Sequence, residues 1–234
     1  MCRLLGITNF DCVRHAPLVE RFCDLASKGA VIPGDQPGHQ DGWGLALYRE
    51  GNLEVCKSGA NLLHETDRLM GILKATPHSP VLILHLRKSA WKGSSFARHA
   101  HPFQCGNVAF AHNGTVYGYE RLLPAITIPG LEPDSLDTEV VFYHVMSGAQ
   151  TRGIREAFLD TACLIRREYR YSALNALFSD GGRLFAYRDF TKEPDYYSLF
   201  TAREKDSVYV SSEPLSETLA WTLMEKEELL EIPV

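Results

Sequence analysis

The second residue of the chain carries the clearest chemical signal in the sequence. The chain opens Met1-Cys2-Arg3, and an initiator methionine is normally removed when a small residue follows it. Its removal would leave Cys2 with a thiol and a free α-amino group on the same carbon. An α-amine titrates at about 7.7–8.0, so it can take the thiol proton near neutral pH and later return it. We therefore expect a nucleophile that carries its own base, although a Met-Cys start by itself is more often incidental.

Four further residues have side chains or backbone groups suited to a reaction at a carbonyl carbon. Asn113 and Gly114 follow an apolar strand that we expect to end there, at a sheet edge. Their amide and N–H groups can stabilise an oxyanion, and the alternative is an ordinary Asn-Gly turn. Arg87 follows six apolar or neutral residues, 81–86. Its guanidinium can form a bidentate ion pair with either a substrate carboxylate or a structural one. Asp137, at the start of an expected helix, is either a binding residue or a helix N-cap.

These residues belong to an ordered set of short motifs. In chain order the set is Met1-Cys2 before a Leu-Leu-Gly strand, Asp41-Gly42-Trp43-Gly44, His85-Leu86-Arg87, Ala100-His101-Pro102-Phe103, Ala111-His112-Asn113-Gly114, Asp137-Thr138-Glu139 and the segment Val208–Leu215. No single motif is specific, but in this order they resemble the glutaminase domain of class II glutamine amidotransferases, the N-terminal-nucleophile type. The resemblance covers essentially the whole chain. It is nearest to small stand-alone members, which include γ-glutamyl hydrolases of thiol-histidine metabolism.

The resemblance implies an α+β fold, a four-layer αββα sandwich of two antiparallel sheets with helices on both outer faces. It implies that Cys2 is the nucleophile and that Asn113 and Gly114 are the oxyanion donors. Arg87 would bind the α-carboxylate of the substrate and Asp137 its α-ammonium group. The implied reaction is hydrolysis of a γ-glutamyl amide bond in glutamine or another γ-glutamyl compound. It would pass through a γ-glutamyl thioester on Cys2 and release glutamate.

One segment departs from the family pattern. Lys88-Ser89-Ala90 stands where many amidotransferases have an aromatic residue and a Thr-His pair that shape the substrate pocket. The length also leads us to expect a single domain over residues 1–234, with no synthase domain to consume ammonia. Two alternatives remain open: a glutaminase subunit that passes ammonia to a separate synthase partner, and a non-catalytic sensor of glutamine or γ-glutamyl compounds.

Composition narrows the class of protein further. The net charge is -5 with no basic run, so we expect no nucleic-acid partner. No apolar stretch approaches the roughly 20 residues that span a bilayer, and no signal region is present, so we expect no membrane association and a cytoplasmic location. Six cysteines without a CxxC pair favour reduced thiols. His99-Ala100-His101 alone does not predict a metal site, and we expect neither metal nor cofactor. A homo-oligomer remains possible.

The coarse pattern of elements agrees with this fold class. Helical periodicity or start signals predict helices at 17–27, 65–75, 138–147 and 154–169. Apolar runs and turn signals predict strands at 3–8, 43–49, 53–57, 80–87, 107–111, 173–178, 183–187, 197–202 and 207–211. Helices in blocks between hairpins indicate antiparallel sheets with helices outside them.

Overall fold

The computed structural model describes residues 2–234. The helices are α1 Cys12–Lys28, α2 Thr66–Ala75, α3 Asp137–Arg152 and α4 Ile154–Glu168, with 3-10 turns at Leu62–His64, Ala97–His99 and Tyr119–Ala125. The strands are β1 Arg3–Asp11, β2 Trp43–Arg49, β3 Asn52–Ser58, β4 His78–Leu86, β5 Phe103–Cys105, β6 Val108–Tyr117, β7 Arg170–Ser179, β8 Arg183–Arg188, β9 Phe200–Glu204, β10 Ser207–Ser211, β11 Thr222–Leu223 and β12 Glu228–Pro233.

The strands form two antiparallel sheets. One sheet has the order β11-β9-β10-β1-β4-β2-β3 and the other the order β12-β8-β7-β6-β5. β1 lies inside the larger sheet, with Leu5 opposite both Leu84 of β4 and Ser211 of β10. This central position fixes the backbone that follows Cys2 from both sides.

Three clusters of apolar side chains lie between the four layers of the fold, which are two sheets and a layer of helices on each outer face. Between the sheets, Leu4 and Ile83 of the larger sheet pack in one cluster with Ala111 and Leu177 of the smaller sheet. The opposite face of the larger sheet packs against α1 and α2, and that of the smaller sheet against α3 and α4. Because each sheet is buried on both faces, its strands are apolar with little alternation. The αββα sandwich is thereby confirmed.

Most predicted elements are present, with corrected bounds. α1 begins five residues earlier than its predicted start at 17, because Asp11 caps it by accepting the N–H groups of Val13 (2.9 Å) and Arg14 (2.8 Å). Pro17 therefore lies inside the helix and not in its first turn. β5, β11 and β12 were not predicted. β5 and β11 have only three and two residues, too few for a clear pattern, whereas β12 was missed despite its six residues. Within residues 2–234, no helix combines the length and the apolar character needed to cross a bilayer.

The prediction that a strand ends at His112-Asn113-Gly114 is wrong. β6 continues to Tyr117, and Asn113 pairs with Asn175 of β7. An Asn-Gly turn is therefore excluded here. The expected sheet edge is nevertheless present on one side, because β5 pairs only with Val108–Phe110 and leaves the rest of β6 uncovered. Between Gly114 and Val116 the β6–β7 register shifts, an irregularity of the kind often found beside active sites.

Candidate active site

Cys2 lies directly before β1, at the end of the larger sheet, and its side chain is buried. The thiol contacts the backbone of Lys88 twice: Sγ is 3.5 Å from the Lys88 nitrogen, which donates to it, and 3.7 Å from the Lys88 carbonyl oxygen. Burial raises the pKa of the Cys2 thiol, while the Lys88 N–H and the guanidinium groups of Arg87 and Arg3 oppose the increase. The buried thiol therefore needs a base to become a nucleophilic thiolate.

Asn113 reaches Cys2 from the other sheet. Its side-chain oxygen accepts a hydrogen bond from the nitrogen of Cys2 at 3.1 Å. Its side-chain nitrogen, Nδ2, is buried and has no hydrogen-bond partner. A buried donor without a partner is costly in a folded protein. One end of this amide therefore holds the Cys2 nitrogen, and the other end offers an unused donor beside it.

Gly114 directs its N–H group toward the same space. The N–H groups of His112 and Val116, on either side of it, point away from β7 and donate to His101 Nδ1 (3.4 Å) and Asp137 Oδ2 (2.9 Å). Backbone N–H groups two residues apart in a strand point the same way, so the Gly114 N–H also points away from β7. A Cβ atom at this position would lie 1.9 Å from the carbonyl oxygen of Ala173, which explains why glycine is required.

Arg87 is buried and is held by neutral groups. Nη1 donates to the carbonyl oxygen of Ser94 at 2.8 Å, and Nη2 donates to the hydroxyls of Ser89 (3.0 Å) and Ser94 (2.9 Å). Within residues 2–234, no carboxylate forms an ion pair with this guanidinium, so the structural-carboxylate alternative is not realised. Burial lowers the pKa of Arg87, and the charges of Cys2, Asp41 and Asp137 counteract this effect.

Asp137 is the first residue of α3, and the N-cap position belongs to Leu136. The Asp137 carboxylate instead accepts the Val116 N–H at Oδ2 and the indole N–H of Trp91 at Oδ1, the latter at 3.1 Å. Burial raises the pKa of Asp137. The N-cap alternative is therefore wrong, and the carboxylate faces inward.

A single small cavity of about 30 Å³ joins these groups. Cys2, Arg87, Gly114 and Asp137 line it together with Lys88–Trp91, His99, His101, Phe103, Thr115, Leu136 and Thr138. The structure thus brings all five predicted site residues together, four around the cavity and Asn113 against Cys2.

Comparison with known proteins identifies the family. Residues 1–197 match the family model of the class II glutamine amidotransferases. The chain belongs to this family. An uncharacterized protein of Methanocaldococcus jannaschii is 35% identical over 211 residues, which are 85% of this chain and 54% of that protein. The amidotransferase chain therefore spans about half the length of this curated relative.

Solved structures support the fold of the amidotransferase. A class II domain protein from Silicibacter pomeroyi has a TM-score of 0.67 at 20% identity and covers 100% of this chain and 95% of its own. The glutamine phosphoribosylpyrophosphate amidotransferase of Bacillus subtilis has a TM-score of 0.68 at 15% identity and covers 99% of this chain but only 47% of its own. At these identities the likeness concerns the fold, and the family match supports an amidohydrolase-like enzyme.

Sequence reasoning missed two residues of the candidate site. Trp91 covers Asp137. The only sequence signal for this role was the position of Trp91 directly after the altered Lys88-Ser89-Ala90 segment. Arg3 donates from Nη1 to the carbonyl of Cys2 at 3.0 Å, also bonds the carbonyl of Ala30, and pairs with Glu213 at 2.5 Å. A buried arginine directly after the nucleophile is a recognisable signal, because such a charge needs a partner.

The histidines near the site form a neutral cluster. The rings of His85 and His101 lie 4.2 Å apart, and His112 contacts the Thr138 hydroxyl at 3.0 Å. Burial lowers the pKa of all three histidines. In the part of the chain from residue 2 onward, no group of three or more His, Cys, Asp or Glu side chains is arranged to hold a metal ion.

Proposed function

We propose that this amidotransferase hydrolyses the γ-glutamyl amide bond of glutamine or another γ-glutamyl compound and releases glutamate. One observation carries the proposal: the Asn113 amide binds the Cys2 nitrogen through its oxygen and leaves Nδ2 buried and unpartnered beside it. This arrangement suits a nucleophile whose own α-amine is the base and whose neighbour is an oxyanion donor.

The reaction begins at Cys2. The α-amine, oriented by the Asn113 oxygen, accepts the thiol proton, and the thiolate attacks the γ-carbonyl carbon. The oxyanion that forms is stabilised by Asn113 Nδ2 and the Gly114 N–H, donors that matter most in the transition state. The C–N bond then breaks, the leaving amine takes the proton, and a γ-glutamyl thioester remains. Water adds to the thioester with the α-amine as base, the C–S bond breaks, the Cys2 sulfur takes the proton back, and glutamate is released.

Arg87 and Asp137 are two charged residues of the cavity that would recognise the substrate. Arg87 would hold the α-carboxylate and Asp137 the α-ammonium group, because neither forms an ion pair with another described residue. Ser89 and Ser94 keep the guanidinium in place. We further propose a cytoplasmic location and one domain that needs no cofactor.

Removal of Met1 is essential for this mechanism, because a preceding residue would acylate the base. Met1 lies outside the described residues. The test is intact-mass measurement of protein expressed with its native start, followed by assays of glutamate release from glutamine, glutathione and other γ-glutamyl substrates. Mature protein should begin at Cys2. Cys2→Ser should reduce turnover to background, whereas the control Cys163→Ser, at an exposed cysteine, should be fully active.

A second variant tests the base itself. A lysine inserted between Met1 and Cys2 prevents removal of the methionine and leaves the thiol in place. We expect this variant to be as inactive as Cys2→Ser. Wild-type turnover by the extended protein would refute the terminal-amine mechanism, and binding of glutamine without any turnover by the wild type would favour the sensor.

A glutaminase subunit that passes ammonia to a separate synthase is the second candidate. The chain covers only 54% and 47% of two proteins described above, so those proteins carry about as much chain again. Such a subunit would supply ammonia to a separate synthase. Glutamine hydrolysis that appears only after addition of a co-purifying partner would support this candidate over independent hydrolysis.

A further inference from the structure

Trp91 is joined by hydrogen bonds to both charged residues of the cavity, directly to one and through two serines to the other. Its indole N–H donates to Asp137 Oδ1 at 3.1 Å. Its backbone carbonyl oxygen accepts from the hydroxyls of Ser89 (2.9 Å) and Ser94 (2.7 Å). The same two hydroxyls accept from the Arg87 guanidinium. One residue therefore connects the carboxylate with the groups that hold the guanidinium.

The Trp91 indole is itself held in place. Its ring centroid lies 5.9 Å from that of Tyr119, edge to face, and 6.5 Å from that of Tyr117. The backbone N–H of Trp91 donates to the Ser89 hydroxyl at 3.0 Å. The residue is half-buried and lines the cavity. These contacts fix the direction in which the indole N–H points.

Each oxygen of the Asp137 carboxylate has one N–H donor of this kind. Oδ1 accepts from Trp91 and Oδ2 from the Val116 N–H at 2.9 Å. A carboxylate has about four acceptor sites, so both oxygens can still accept from an ammonium group. Burial raises the pKa of Asp137, whereas electrostatic interaction with His112 and the N–H groups of Val116 and Trp91 lower it. The indole thus both orients the carboxylate and favours its charged form.

We propose that Trp91 is a positioning residue for recognition of the α-amino-acid end of the substrate. It fixes the Asp137 carboxylate in the orientation that an α-ammonium group requires when Arg87 holds the neighbouring α-carboxylate. This inference rests on the proposed function, which assigns those two partners. Because the α-ammonium and the α-carboxylate share one carbon atom, the two protein charges that bind them must keep a fixed separation. Trp91 acts through Asp137 and not on the reacting atoms.

The test compares binding of L-glutamate, the proposed product, with binding of glutarate, which lacks only the α-ammonium group. Calorimetry on the full chain should show tighter binding of glutamate by the wild type. Trp91→Phe keeps an aromatic ring and the backbone contacts but loses the indole N–H. We expect it to reduce the preference about 10-fold, as for one hydrogen bond to a charged group. KM for γ-glutamyl substrates should rise by a similar factor, with a smaller change in kcat.

Trp221→Phe is the matched control. Its indole N–H also donates to an oxygen, the carbonyl of Ser216 at 3.0 Å, but the ring packs against the α1–α2 side of the larger sheet. The preference for glutamate should therefore be that of the wild type.

The pH dependence of the preference distinguishes positioning from mere covering of the cavity. Arg87 faces Asp137 from the end of β4, His112 from β6 and Tyr119 from the 3-10 turn that follows β6. Trp91→Phe leaves these three groups in place. Loss of the indole N–H favours the protonated carboxyl. As the pH falls, the variant should therefore lose its preference for glutamate at a higher pH than the wild type does.

Three results would overturn the inference: an unchanged preference in Trp91→Phe, an equal loss of affinity for both compounds, or an unshifted pH dependence. If the variant does not fold, the wild type still provides a test. The Trp91 indole proton resonance, identified by elimination among the three tryptophans with Trp43→Phe and Trp221→Phe, must move further with saturating glutamate than with saturating glutarate. Equal movements would refute the role of Trp91.

Failure of the proposed function gives different results. If the Trp91→Phe preference falls as expected but no γ-glutamyl compound releases glutamate, hydrolysis is refuted and the role of Trp91 in recognition is supported. If the wild type binds glutamate no better than glutarate, the assignment of Asp137 to the α-ammonium group is refuted, and the inference with it.

Discussion

At the scale of single residues, Asn113 has the most informative geometry, because its two side-chain atoms have different partners. The oxygen accepts from the Cys2 nitrogen, and Nδ2 has no partner. The two atoms can therefore be tested separately. Asn113→Ala removes both, whereas Asn113→Asp keeps an acceptor for the nitrogen, removes the donor and adds a negative charge.

We expect both Asn113 variants to lose about 10²–10³-fold in kcat with little change in KM, because the donor acts on charge present only in the transition state. Steady-state kinetics of glutamate release, on protein shown to be folded by circular dichroism, measures this effect. An Asn113→Asp protein with wild-type kcat would show that Nδ2 does not contact the oxyanion.

Arg87→Lys should raise KM about 10-fold or more while changing kcat less. A lysine can neither keep the bonds to Ser89 and Ser94 nor present paired donors to a carboxylate. KM values for glutamine or γ-glutamyl substrates measure the loss, and Arg203→Lys, at an exposed site, is the control. Unchanged KM would remove Arg87 from substrate binding.

At the scale of elements, β6 determines the geometry of the site. Its uncovered edge turns three alternate N–H groups toward His101, the cavity and Asp137, and Gly114 occupies the middle position. The close approach of Ala173 means that this strand tolerates no side chain there. The packing of two strands thus requires glycine at the candidate oxyanion position.

Gly114→Ala should lower the free energy of unfolding by about 3 kcal/mol or more, or prevent folding, because the added Cβ collides with backbone. The control is Gly71→Ala in α2, where a Cβ meets nothing within 4 Å. That substitution should raise stability by about 0.5–1 kcal/mol, since alanine favours the helix. Urea unfolding of both variants tests the contrast, and equal stabilities would contradict it.

At the scale of the whole molecule, burial of neutral histidines makes stability depend on pH. His15 packs between Phe10 and Tyr209 and accepts the Asp11 N–H at 2.9 Å. Burial lowers the pKa of His15 from 6.5 to about 4. The unfolded chain therefore binds more protons than the folded protein between these values, and stability falls as the pH falls through that window.

Between pH 7 and pH 4.5, the wild type should lose about 2 kcal/mol more unfolding free energy than His15→Asn. Asparagine keeps an acceptor for the Asp11 N–H but does not titrate, and the other buried histidines contribute equally to both proteins. Urea unfolding at the two pH values gives the difference. Equal losses would show that His15 does not remain neutral in the folded state.

Much of this protein is determined locally by the sequence. The long helices and central strands were predictable because each has its own periodic pattern of apolar residues or its own apolar run. The hairpin between β2 and β3 was predictable because Glu50-Gly51 has the turn signal. Cys2, Arg87, Asn113 and Asp137 became candidate site residues only as an ordered set, because each alone also has an ordinary structural explanation. Their order along the chain indicated the family.

Only the tertiary structure decides how these groups meet. Cys2 belongs to one sheet and Asn113 to the other, so their 3.1 Å contact depends on how the sheets pack. Whether β6 stops at Gly114 or continues depends on its pairing with β7, which no local pattern records. Two other contacts likewise join residues that are distant in sequence. Trp91 donates a hydrogen bond to Asp137, and the Lys88 ammonium donates to carbonyl groups of the 36–38 loop. Local propensity specifies elements, but the partners of a polar side chain are set by long-range packing.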